Sequence, residues 1–302
     1  MCARTSGSTG TPKDILLLKH DMLISARNTN EFFDIDSGSV LGLPLSIDYI
    51  AGKMMVVRSV AAGCRLRQFP VSNTVVVDER IDLLSVVPSQ VPSILADAGS
   101  TGHISNLLIG GAPLSRDLER RIVSSGINAF IGYGMTETCS HVALRRIGEP
   151  GMAYHAMPNI AFSTDSRGCL VVHADDFSWH SLTTNDVVDL VDERSFVWRG
   201  RADNVINSGG IKLHPEEIER RLSCVVTQPF YVVRHPSEKW GECVALVAEG
   251  DASATDMLWN SIDLLELPKG WKPAVIVMTD RLPRTSNGKI LRLTAEALNR
   301  TC

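Results

Sequence analysis

The chain has 302 residues, 44% hydrophobic and 21% charged, which excludes wholesale disorder and suits about two globular domains. Thirty Lys and Arg against 34 Asp and Glu leave a net charge of −4, so no basic excess exists to grip a nucleic-acid backbone. Seven cysteines without a CxxC pair argue against a disulfide framework or a thiolate zinc site, no apolar run reaches the roughly 18 residues of a membrane span, and MCARTSGSTG lacks the apolar stretch of a signal peptide, so a cytoplasmic protein is expected.

In chain order, residues 15–18 predict a buried strand and 21–33 a helix that Asp21 is suited to cap. Short apolar runs follow at 40–43, 83–87, 106–109 and 127–131, stopped by Pro44, Pro88, Gly110-Gly111 and Gly132. They alternate with helices near 50–62, 89–98 and 114–125, a βαβ rhythm that predicts a mostly parallel, covered sheet. From about Gly151 the runs shorten and alternate, as in antiparallel strands at 169–173, 187–191 and 195–198.

Past Gly200 a smaller unit reads as strand 204–206, a turn at Ser208-Gly209-Gly210 and a helix 215–222. That helix has Pro215 just inside its start and Glu216 and Glu217 in its first turn. Strands at 227–234, 243–248 and 274–278 and helices near 255–265 and 292–299 complete it. The expectation is an α/β fold: a large domain over 1–199 with a mostly parallel sheet and an antiparallel portion, and a small α+β domain over 200–302.

Thr5-Ser6-Gly7-Ser8-Thr9-Gly10-Thr11-Pro12-Lys13 packs five hydroxyls, two glycines and a lysine into nine positions. Glycines let backbone N–H groups approach a ligand, hydroxyls add donors, and lysine adds a point charge, so the loop suits a polyphosphate. It is not a Walker A loop, because Lys13 follows Pro12 and precedes Asp14. Composition alone fits a Ser/Gly/Thr linker equally well.

This loop resembles the phosphate loop of the adenylate-forming superfamily, the acyl-CoA synthetase or AMP-binding enzymes, and four further stretches fit that family in the same order. Gly110-Gly111-Ala112-Pro113 resembles its adenine-pocket loop, and Tyr133-Gly134-Met135-Thr136-Glu137-Thr138 its Y-G-x-T-E signature. Gly200-Arg201-Ala202-Asp203, continuing through Ser208-Gly209-Gly210-Ile211-Lys212, resembles its hinge. Pro283-Arg284-Thr285-Ser286-Asn287-Gly288-Lys289 resembles its P-R-T-x-x-G-K loop.

The resemblance implies ATP, magnesium and coenzyme A as co-substrates and cofactor, with a small carboxylic acid as the other reactant. Residues Thr5, Ser6, Gly7, Ser8, Thr9, Gly10 and Lys13 would cradle the outer phosphates. Gly111, Ala112 and Tyr133 would hold adenine. Thr136 would donate to the α-phosphate and Glu137 would bind magnesium. Asp186, in the context Thr184-Asn185-Asp186 rather than the family's T-G-D, would take the ribose hydroxyls together with Arg201. Lys289 would be the adenylation lysine, Asp203 the hinge of a mobile C-terminal domain, and Gly209 and Gly210 would line the pantetheine path.

Each of these residues has a plainer reading: Lys289 at the surface, Glu137 as a helix-start acid, Asp186 in a turn, Tyr133 in the core, and the cysteines from 64 to 243 as core fillers. Thr138-Cys139-Ser140-His141-Val142 resembles the o-succinylbenzoate–CoA ligases of menaquinone biosynthesis. Tyr49, after the pocket-mouth segment Leu43-Pro44-Leu45, would then line the acid pocket with His141. Arg145 or Arg146 would meet a second substrate carboxylate, or form an exposed arginine pair.

Family members carry a subdomain ahead of the phosphate loop, whereas only four residues precede Thr5, so the expectation is either a fragment or misjudged start, or a protein shortened at its N-terminus. Three readings stay open: a ligase for o-succinylbenzoate or another aryl or acyl acid, an adenylation domain loading a carrier protein, and a non-catalytic nucleotide-binding remnant. The oligomeric state, a homo-oligomer included, is left open.

Overall fold

The βαβ rhythm predicts parallel pairing, and the computed structural model, which describes residues 1–4, 14–284 and 290–298, contains it. Val40–Leu43 pairs in parallel with both Arg65–Gln68 and Leu83–Val86. Leu83–Val86 pairs in parallel with Leu107–Ile109, and Leu107–Ile109 with Ala129–Met135. Beyond this the pairing turns antiparallel, through Ser140–Arg146, Ala153–Ala156 and Ser195–Arg201. His180–Asp192, Cys169–Ala174 and Ala161–Thr164 complete an 11-stranded sheet.

All four residues of Leu83–Val86 and all three of Leu107–Ile109 are buried, the pattern of strands covered on both faces. Ile81, Leu84, Val86 and Ile109 pack with Val91 and Ile94, and with Leu118 and Ile122 of helix Arg116–Ser125. Ser115 caps that helix, its Oγ accepting from Leu118 N at 3.2 Å, and Gly126 ends it at φ +72°.

The chain divides into two compact units. The first comprises Met1–Asp165, Leu170–Thr184 and Asp189–Val197; the second takes Ser166–Cys169, Asn185–Val188 and the chain from Trp198 on. The second unit has its own five-stranded sheet, centred on the hairpin Phe230–Ser237 and Gly241–Glu249, with Val275–Thr279 parallel to the latter. Val232, Val244 and Leu246 pack on one face with Ile218 and Leu222 of helix Pro215–Leu222. Tyr231, Val233, Ala245 and Val247 pack on the other with Leu282 and Leu298. Alternate residues of one apolar run thus serve two cores.

Several local expectations are corrected. The first strand is Asp14–Leu16, antiparallel to Cys2–Arg4, and it is not buried: Leu16 is 83% exposed. The helix expected over 89–98 is broken at Asp97 into Val91–Ala96 and Ala98–His103, because the Asp97 carboxylate accepts from Gly99 N at 3.1 Å and caps the second piece. Residues 202–204 form a 3-10 turn and the strand is Ile206–Ser208. Among the expected core cysteines, Cys139 and Cys169 are buried but Cys224 is exposed. No helix among the described residues is long and apolar enough to cross a membrane.

Candidate active site

Parallel strands present their carboxyl ends on one edge, where open α/β sheets bind ligands. Leu43 leads there into Pro44, Val86 into Val87, and Ile109 into Gly110–Pro113. Gly111 sits at φ +88° with Ala112 and Pro113 exposed beside it, a conformation that favours glycine.

Ala129–Met135 runs past its parallel neighbours and reverses through Thr136–Cys139 into Ser140–Arg146. The register shifts between Tyr133 and Gly134, where a Cβ on Gly134 would fall 2.1 Å from the Ser140 carbonyl oxygen. The Thr138 hydroxyl accepts from Met135 N at 3.0 Å and lies 2.7 Å from Ser140 O, while Cys139 N donates to Thr136 O at 3.0 Å. Cys139 and Ser140 follow at φ +57° and +106°, left-handed conformations that cost non-glycine residues free energy. Helix Lys19–Phe32 braces this turn: Ser25 Oγ donates to Cys139 O at 3.0 Å, and Thr29 Oγ1 lies 3.1 Å from His141 Nε2. The helix therefore buries a polar stripe, Ser25, Asn28, Thr29 and Asn30, where a purely structural helix would bury apolar residues.

Glu137 is exposed at the tip of the turn, and Thr136 is half-buried. Tyr133 is half-buried, edge-on to Phe196 at 5.0 Å and to Tyr154 at 5.8 Å between ring centroids. Among the described residues no group of three or more His, Cys, Asp or Glu could hold a metal ion. Glu137 presents an exposed carboxylate, a hard oxygen donor of the kind magnesium takes.

Within the second unit, Asp186 and Arg201 come together. Asp186 Oδ1 accepts from Trp198 Nε1 at 3.1 Å and stands 3.9 Å from Arg201 Nη1. Arg201 Nη2 reaches Asp203 Oδ2 at 3.0 Å, and Asn185 Nδ2 reaches the same oxygen at 3.4 Å. Gly209 and Gly210, at φ +57° and +82°, turn Ile206–Ser208 into Ile211–Leu213. A Cβ at Gly209 would fall 2.6 Å from Trp240 Cε3. Trp240 is 47% exposed with Lys239 Nζ 4.8 Å above its ring, an aromatic surface with a cation that the sequence reading overlooked. Thr5, Ser6, Gly7, Ser8, Thr9, Gly10, Lys13 and Lys289 lie outside the described residues.

The acid-pocket residues fare differently from one another. Tyr49 immediately precedes helix Ile50–Ala62 and is partly exposed. His141 is buried, and burial with the Arg58 charge nearby holds its imidazole well below the usual histidine range, so it is neutral at pH 7. Arg145 is occupied: its two Nη atoms meet Glu119 at 2.7 and 3.5 Å. Arg146 pairs with Glu149 at 3.4 Å on the surface.

The residue missed altogether is Arg58. It is 1% exposed, and among the described residues no carboxylate pairs with it. Its Nη2 donates to Ser140 Oγ at 3.1 Å, Nη1 lies 3.4 Å from Met55 Sδ, and Nε has no acceptor. Burial pushes the guanidinium down to about 9, still charged at pH 7. An arginine in a helix reads from sequence as a solvated face, which hid it.

Several curated relatives match most of the chain. The 2-succinylbenzoate–CoA ligase of Enterococcus faecalis is 26% identical over 95% of this chain and 67% of its own length. The long-chain-fatty-acid–CoA ligase FadD13 of Mycobacterium tuberculosis is 26% identical over 95% of this chain and 65% of its own. The chain thus spans about two thirds of the length of these relatives. A solved structure, an acyl-CoA synthetase (AMP-forming)/AMP-acid ligase II-like protein from Dyadobacter fermentans, is 30% identical, with a TM-score of 0.63, over 100% of this chain and 89% of that one. The profile of the AMP-binding enzymes matches residues 4–171, more than half of the sequence, and the chain belongs to that family.

Proposed function

We propose that the protein is an ATP-dependent acid–CoA ligase acting in two steps. A substrate carboxylate oxygen attacks the α-phosphorus of ATP and pyrophosphate leaves; the thiol of coenzyme A then attacks the acyl carbon and AMP leaves. The observation that carries the reading is the braced turn at Thr136 and Glu137, on the edge where the sheet also presents Gly110–Pro113.

In the first step two anions must meet, so donors and positive charge belong where charge accumulates. The loop from Thr5 to Lys13 binds the outer phosphates. Thr136 donates to the α-phosphate, and Gly111, Ala112 and Tyr133 hold the base. A magnesium ion on Glu137 supplies charge neutralisation at the phosphates when bound. Asp186 and Arg201 offer an acceptor and a donor fork to the ribose diol. Lys289 bridges the attacking carboxylate and the α-phosphate, which aligns them. For the second step the C-terminal domain, residues 200–302, turns about Asp203. Gly210, with open space where a Cβ would stand, leaves room for pantetheine beside Gly209, which seats the Trp240 ring, and Trp240 with Lys239 offers a flat surface and a cation for the thiol's nucleotide end. The reaction belongs in the cytoplasm, where ATP and coenzyme A are available.

As to the acid, Arg58 supports one with a second carboxylate, of which o-succinylbenzoate is the first choice. A buried guanidinium without a carboxylate costs free energy that a ligand carboxylate would offset. Arg145, the earlier candidate, is already paired with Glu119. Acid-dependent ATP–pyrophosphate exchange over a panel of aryl, fatty and dicarboxylic acids tests the reading. Exchange with o-succinylbenzoate and release of its CoA thioester are expected. ATP binding without exchange for any acid would leave the non-catalytic remnant, and acylation solely of a phosphopantetheinyl protein would leave the carrier-loading domain.

A further inference from the structure

Arg292 lies three residues beyond Lys289, and its guanidinium turns into the second unit. It forks onto Glu219, with Nη2 to Oε2 at 2.7 Å and Nη1 to Oε1, and Nη1 also donates to Val232 O at 3.0 Å. On either side the chain is tied down as well. Leu291 N donates to Pro283 O at 2.8 Å, Ile290 bridges Arg284, and Tyr231 Oη donates to Leu293 O at 2.8 Å.

The same guanidinium faces a second carboxylate, with Nη2 3.8 Å from Glu216 Oε1. Glu216 is 7% exposed, and it is bonded to the chain after Asp203 and lies close against the chain before it. Asn204 Nδ2 donates to Oε1, and a Cβ on Gly200 would fall 2.3 Å from Oε2. Among the described residues Oε2 itself has no donor. Helix Pro215–Leu222 thus buries Glu216 beside its packing residues Ile218 and Leu222, and it holds two withdrawn carboxylates around one guanidinium.

We propose that Arg292 is a positioning residue which, through Glu219 and Glu216, makes the foot of the Lys289 loop and the segment around Asp203 one rigid piece. The proposal rests on the ligase reading, in which Lys289 serves adenylation and Asp203 is the hinge. A rotation at Asp203 is then transmitted undiminished to residue 290, the neighbour of Lys289 in the chain. Lysine at 292 would keep the charge but lose the fork that holds both Glu219 oxygens.

The test measures both half-reactions in the full chain carrying Arg292→Gln or Arg292→Lys. Pyrophosphate exchange should fall about 100-fold with Gln and about 10-fold with Lys, as misplacement of a charge-bearing group predicts. Thioester formation from supplied acyl-adenylate should change by less than about threefold. A parallel fall of both half-reactions, or no fall in either, overturns the proposal. If the unaltered chain exchanges pyrophosphate with no acid, the ligase reading fails instead, and hydrogen exchange still decides the mechanical link. In Arg292→Gln, or in Arg292→Lys should the Gln variant not fold, amides of 200–204 and 290–293 should lose protection together. Loss confined to 290–293 overturns the link.

Discussion

Arg58 in the first unit and Arg292 in the second are both drawn in from solvent, and their surroundings are opposite. Arg58 has a thioether, a serine hydroxyl and a neutral histidine around it, and burial pushes its guanidinium down to about 9. Arg292 is also penalised by burial, but the charge and hydrogen bonds of Glu219 more than offset this and hold its guanidinium above the usual arginine range. A charge that the fold itself neutralises serves the fold or its mechanics. A buried charge with no carboxylate beside it among the described residues is where the proposed second carboxylate of the substrate would bind.

That contrast can be broken by one substitution made in both places. Arg292→Met leaves Glu216 and Glu219 without their cation and should cost about 3 kcal/mol in denaturant unfolding. Arg58→Met removes an unpaired buried charge and should be neutral or stabilising by about 1 kcal/mol. The same Arg58 variant should weaken use of a dicarboxylic acid while leaving exchange with a monocarboxylic acid intact. If Arg58→Met destabilises as much as Arg292→Met, the distinction between the two sites is lost.

The braced turn sharpens the comparison from the backbone side. Gly134→Ala places a Cβ against the Ser140 carbonyl and should cost about 2 kcal/mol, read as a lowered thermal midpoint. The smallest effect is the pH dependence of His141. Its folded form resists protonation while the unfolded form titrates near 6.5, so the unfolded state binds more protons below that pH. Stability should therefore decline as pH falls below about 6.5, with a slope of at most about 1.4 kcal/mol per unit. His141→Gln should flatten that slope between pH 6.5 and 5, and an unchanged slope would place the titration elsewhere.

Much of this fold was legible in sequence, for identifiable reasons. Residues 40–43 were read to their end because Pro44 punctuates them, and 215–222 because Pro215 and the first-turn acids mark its start. Ser140–Arg146 and Ala153–Ala156 went unread, since SHVALRR buries polar and apolar residues alike and AYHA buries none of its four, so neither shows a clean alternation. The break at Asp97 was overlooked because an apolar period spanned it, although Asp-Ala-Gly-Ser carries its own capping signal. The expectation that Arg145 meets a second substrate carboxylate could not foresee Glu119, which lies 26 residues away in sequence and pairs only once helix Arg116–Ser125 packs on the sheet. Arg58 was hidden for the converse reason, since burial of a charge leaves no mark on the residues beside it in the chain.

The double-faced hairpin of the second unit has an effect on assembly of the chain. In most sheets a one-residue slip exposes the oily side and so corrects itself. Along Gly241–Glu249 both sides are oily, Val244, Leu246 and Ala248 on one and Ala245 and Val247 on the other, so a slipped alignment would still find cover. Alignment there falls to the corner instead, where Ser237 meets Gly241 at φ +75° and Trp240 O receives Gly209 N at 2.9 Å. Insertions or deletions of one residue at that corner, rather than changes along the strands, are where newly made chains would be diverted into misaligned and sticky forms.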